Sequence, residues 1–106
     1  MPIVNLTPHP VTVRWDGKER TLPSAGAARI IDTATPAEPV DGVPVAVIAV
    51  GEVEGLPDPQ PGTYYLVSRL TAAAQPHRRD LLFPFEEIRD ENGRIVAVAR
   101  LATLSR

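Results

Sequence analysis

The densest polar cluster in the chain is His77-Arg78-Arg79-Asp80. Two adjacent arginines present forked donors that match the geometry of phosphate or carboxylate. Hydrogen bonds from a guanidinium to a charged oxygen are among the stronger polar contacts. Upstream, Arg69 opens a helical run behind Ser68, where unpartnered amides carry partial positive charge. The same tetrapeptide also reads as a solvated turn in which Asp80 pairs locally with an arginine. The second polar motif is Asn5-Leu6-Thr7-Pro8-His9-Pro10. Pro8 and Pro10 restrict the backbone around His9, so its imidazole can engage a ligand at little ordering cost. The competing reading is that Asn5 and Thr7 satisfy backbone groups at a turn. The candidate ligand contacts are therefore Arg69, Arg78 and Arg79 for an anionic group, with His9, His77 and Tyr65 to stack or hydrogen-bond. This reading puts His9 and the arginine turn in one shared pocket.

Other chemistry finds no support in the residues. The chain shows no phosphate loop, dinucleotide fingerprint or nucleophile elbow. His9 and His77 lie far apart and lack the spacing of metal ligands, so neither a metal nor a cofactor is expected. Glu86-Glu87 would point to opposite faces of a strand, which does not suit a paired acid and base. No catalytic residue is assigned, and the balance is mildly against an enzyme; a small hydrolase using His9 or His77 with Asp80 is the weakest alternative. A net charge of −2 gives no bulk field to attract nucleic acid or an anionic membrane. No apolar run reaches membrane-spanning length, and the opening residues lack the pattern of a signal peptide. Cysteine is absent, so no disulfide framework is expected and the cytoplasm is the expected compartment.

The elements that must position these residues are short. Thr63–Val67 is β-branched and aromatic and reads as a buried strand. Ser68 is a natural helix cap for Arg69–Gln75, with Leu70, Ala73 and Ala74 on one face, and Pro76 ends that helix. Leu81–Phe83 returns as a strand. Earlier, Ile3–Leu6, Val11–Trp15, Arg20–Leu22 and Ala28–Ile31 read as strands, with Asp16-Gly17 as a hairpin turn. Thr33–Gly42 reads as a proline-bearing loop. Val43–Val50 is almost continuously apolar and reads as a strand buried on both faces, against which Trp15 is expected to be buried. Gly51–Pro61 reads as a long loop stiffened by alternating prolines. Phe85–Arg89 and Arg94–Leu101 form a hairpin through Asp90-Glu91-Asn92-Gly93, with Gly93 at positive φ.

These elements predict a single domain over residues 1–106. The fold class is α+β and mainly β: a strongly bent antiparallel or mixed sheet, or partly open barrel, with one short helix. The opening VNLTPHPVTV, the segment GEVEGLPDPQPGTYYLVS and the ending PHRRDLLFP…RDENGRIVAVARLA resemble small bacteriophage, prophage and actinobacterial proteins that open with an NLTPH motif. The resemblance implies an accessory protein of a mobile element or its host that acts by binding, and it assigns no catalytic residue. The expected function is a non-enzymatic, homo-oligomeric protein holding a small anionic ligand such as a nucleotide signal. The alternative is an interaction or inhibitor module that engages a host protein through the proline-rich loop 51–61.

Overall fold

A computed structural model describes residues 2–104, with the side chains of all but residues 32–33 and 49–51 among them. Its strands are β1 (Ile3–Asn5), β2 (Val11–Trp15), β3 (Lys18–Leu22), β4 (Arg29–Val40), β5 (Val43–Glu54), β6 (Tyr64–Leu66), β7 (Leu81–Arg89) and β8 (Ile95–Ala102). The helix α1 (Arg69–Ala73) joins β6 to β7. Six strands form one mixed sheet in the order β1-β6-β7-β8-β2-β3, curled into an open half-barrel. This is the mainly-β, bent and partly open architecture expected from the sequence.

The curl brings the two ends of the sheet together at one point. Beyond β3, Ser24 pairs with Asn5 in an isolated parallel bridge. The amides of Ala25 and Ala28 donate to the carbonyls of Asn5 and Leu6, each at 2.8 Å. Beneath this closure Leu6, Tyr65, Val67, Ala72, Leu81 and Phe83 form the core. Parallel pairing of β6 with both β1 and β7 places the TYYLV segment in the sheet interior, as its β-branched and aromatic composition requires.

The helix is capped as expected: the Ser68 hydroxyl accepts from the Thr71 amide at 3.2 Å. Its buried face differs. Leu70 is 74% exposed, and Thr71 and Ala72 are buried instead. The Thr71 hydroxyl lies 2.8 Å from the Ser68 hydroxyl, so its polarity is satisfied inside. A helix of five residues has too little length for a periodic stripe to fix its rotation; the cap does so here.

The largest departure is residues 33–42. They form no loop but most of β4, which pairs with β5 as a separate two-stranded ribbon. Each strand has 12 residues, which at about 3.4 Å per residue gives an arm roughly 40 Å long. Asp41 and Gly42 turn it with φ of 50° and 76°, the two positive values of a tight hairpin turn. The apolar strand Val43–Val50 is therefore not a doubly buried core strand, and residues 51–54, read as the start of the proline-rich loop, continue β5 instead. Among the described side chains, Val43, Val45, Val47 and Ile48 are all exposed. Trp15 likewise does not pack on that strand: it is 42% exposed at the end of β2. The hairpin of β7 and β8 follows the sequence reading, with Gly93 at φ 80°, although Pro84 interrupts neither the strand nor its pairing to Leu101.

Candidate functional site

The turn before β7 builds one wall of an open pocket of about 300 Å³. Pro76 ends the helical path, and the Arg78 amide donates to the Gln75 carbonyl at 3.0 Å, closing the turn. His77, Arg78, Arg79 and Asp80 follow along that wall. Thr63 and Tyr64, at the entrance to β6, form the floor, and Pro59, Gln60 and Gly62 form the opposite wall. The Tyr65 amide donates to the Asp80 carbonyl at 2.8 Å, which fixes the turn against the floor.

Within this frame the two arginines have different tasks. Arg78 grips Asp80 through two parallel hydrogen bonds, Nε to Oδ1 at 2.8 Å and Nη2 to Oδ2 at 2.7 Å. Nη2 also donates to the Pro57 carbonyl at 3.0 Å. Both side chains are largely withdrawn from solvent. The hydrogen bond to Asp80 is the main cause that raises the Arg78 guanidinium above its ordinary value, with smaller contributions from the charges of Asp80, Tyr65 and Asp58 against a desolvation that lowers it. Arg78 is thus a fork that staples the proline loop to the turn. Arg79 and His77 are exposed on the pocket wall, so the positive charge offered to a ligand is chiefly that of Arg79, since Asp80 neutralises Arg78.

Three of the six residues singled out in the sequence, His77, Arg78 and Arg79, line this pocket. The other three stand elsewhere. Tyr65 is a core side chain at 4% exposure, because successive strand residues face opposite ways and its neighbour Tyr64 takes the pocket side. Arg69, at the start of α1, lies with its guanidinium 5.6 Å from the centroid of the Phe83 ring, a cation–π distance. His9 is exposed and is not among the pocket walls. Sequence reasoning missed Thr63, Tyr64 and Gln60. Strand alternation flags Tyr64 and Tyr65 as alternatives, but only the pairing partners decide which of them faces inward.

The NLTPHP segment serves the fold. The Asn5 side chain is buried, and its amide donates to the His9 carbonyl at 3.0 Å and to the Leu22 carbonyl at 2.9 Å. Its oxygen accepts from the Thr7 amide at 2.9 Å and lies 2.6 Å from the Thr7 hydroxyl. One side chain therefore ties β1, the proline turn and the end of β3 together where the curl closes. Ser24 adds a hydroxyl contact to the Thr7 carbonyl at 2.6 Å.

No group of three or more histidine, aspartate or glutamate side chains suited to a metal ion occurs among the described residues. No helix among them is long and apolar enough to cross a membrane. No family model matches the chain, and no curated protein or solved structure matches it either.

Proposed function

We propose that this protein is a binding module that takes a small anionic ligand, of the size of a nucleotide, between the proline loop and the turn His77–Asp80. The observation that carries the reading is the division of labour between the arginines. Arg78 is spent on Asp80 and Pro57, holding both walls in place, and Arg79 stands exposed beside His77 on the wall of the same pocket. A wall fixed in advance lowers the ordering cost of binding. A guanidinium beside an imidazole supplies donors for a phosphate, and the Tyr64 side of the pocket supplies apolar surface for a ring. This role agrees with the accessory binding function implied by the NLTPH resemblance.

The test is calorimetric titration of the full chain with adenosine monophosphate, a dinucleotide and inorganic phosphate as separate titrants. Saturable binding of a nucleotide is expected, with Arg79→Ala weakening it at least tenfold at unchanged melting temperature and Tyr64→Ala weakening it likewise. Absence of saturable heat with every titrant, or equal affinity in Arg79→Ala, would overturn the assignment.

A further inference from the structure

The β4–β5 arm and the mouth of the half-barrel carry complementary surfaces. We propose that the outer half of the arm docks into the apolar trough of a second copy of this chain, reciprocally, about a two-fold axis. This inference does not rest on the ligand reading.

The arm has the surface of an element made to be covered. Val43, Val45 and Val47 alternate onto one face of β5; with their cross-strand partners Val40, Ala37 and Thr35, and an irregularity in β4 between Ala37 and Val40, they form one stripe without a charge. The valines of that stripe are between 39% and 64% exposed. A two-stranded ribbon is marginal in water on its own, and contiguous apolar surface of this kind marks an interaction site. Pro36, Pro39 and Pro44 lie in or beside its paired strands and withhold amide donors. Proline at an edge discourages addition of a further strand, so a partner meets the face and tip of the arm rather than its edge.

The trough is the matching surface. It has a volume of about 500 Å³ and lies among Val13 and Trp15 of β2, Leu22 of β3 and Leu101 of β8, with Arg20 and Arg100 as its charged residues; Arg100 lies 3.3 Å from Glu86, so Arg20 carries most of the trough's positive charge. No acidic side chain lines it. Between residues 34 and 48 the arm carries Glu38 and Asp41 near its tip and no basic residue. An apolar arm with two acids near its tip is thus matched by an apolar trough edged by Arg20, and complementary charge of this kind selects partner and register. Trp15, exposed in the trough, has the character of an interface anchor. In a two-fold arrangement each copy supplies one arm and one trough, so the contact is closed and does not propagate.

The full chain should sediment as a dimer that dissociates on dilution. The emission of Trp15, the sole tryptophan, should shift to the red as the dimer dissociates. Val47→Lys, Arg20→Glu and Glu38→Arg should each shift the equilibrium to monomer by tenfold or more, with circular dichroism unchanged. The double variant Arg20→Glu/Glu38→Arg should recover association, because the charges meet again with exchanged sign. A wild-type monomer at every concentration reached, a dimer unaffected by Val47→Lys, or a double variant no better than its parents would each overturn the proposal.

Discussion

Asn5 and Arg78 show how a polar side chain can be committed to architecture. Every hydrogen-bonding atom of the Asn5 amide meets a partner, and two of those partners are carbonyls on separate segments. Asn5→Asp keeps the shape but removes both donors and sets a carboxylate against the carbonyls of His9 and Leu22. It should cost about 3 kcal/mol or more, since buried acceptors left unpaired cost about 1–3 kcal/mol each. Chemical denaturation of the variant checks this; a loss under about 1 kcal/mol would mean that solvent reaches the site. Arg78→Ala should cost about 2 kcal/mol, between the values of exposed and fully buried pairs, and should loosen the proline loop through loss of the Pro57 contact. Arg79→Ala should leave stability unchanged. The expectation that Arg78 and Arg79 both meet the ligand therefore becomes a split, with Arg78 paired to Asp80, and melting temperature should report Arg78 and ligand affinity Arg79. Because the Arg78 value is raised in the folded state, its contribution is fully present below its ordinary value and is lost only in strong alkali as pH rises through the raised value. Stability near neutral pH should not vary on its account.

At the scale of elements, turns decide more than strands. Gly93 closes the β7–β8 hairpin at φ 80°, with its amide on the Asp90 carbonyl at 3.0 Å and open space where a side chain would project. Gly93→Ala should cost about 1 kcal/mol, the conformational penalty alone. Gly55, at φ 83°, differs: an added Cβ would sit 2.7 Å from the Ala27 carbonyl oxygen. Gly55→Ala adds a backbone clash to the same penalty and should cost about 2–3 kcal/mol at the base of the arm. Urea melts of the two variants should rank them in that order. The same comparison shows what the sequence discloses and what it conceals. Asp16-Gly17 and Asp41-Gly42 are the same dipeptide in the same turn geometry, yet only the first reads as a hairpin. Two prolines between residues 33 and 42, Pro36 and Pro39, count against a strand there, and that objection fails because β4 pairs on one side only. The apolar run of β5 misleads for a related reason: periodicity measures how apolar a segment is, while burial depends on whether another element covers it. The arginine turn was legible because its chemistry is local. The pocket partner Tyr64 was not, because facing is set by long-range pairing with β1 and β7.

On the scale of the whole molecule, the chain divides into a curled sheet and an arm. The core of the sheet draws on residues before β4 and after β5, with Leu6 on one side of the interruption and Tyr65, Val67, Ala72, Leu81 and Phe83 on the other. Closure at Asn5 and Ser24 lies outside the arm as well. The sheet should therefore fold without the outer arm. Thr33 and Ala49 are cross-strand partners, so residues 34–48 can be replaced by Asn-Gly, whose preference for two positive φ values suits a two-residue turn between paired strands. Compared at a dilution where the parent is monomeric, the shortened chain should melt cooperatively within a few degrees of it, because it loses exposed valines rather than core contacts. Its denaturant slope should change little, since that slope follows the surface newly exposed on unfolding and the arm's valines are already exposed in the folded monomer. Ligand titration at the pocket beside Arg79 should be unaffected in the same variant, since none of the pocket walls belongs to residues 34–48. Circular dichroism melts and calorimetry on this one variant read both properties. A molten or unfolded product would show that the arm supports the sheet through contacts that its exposed valines do not make.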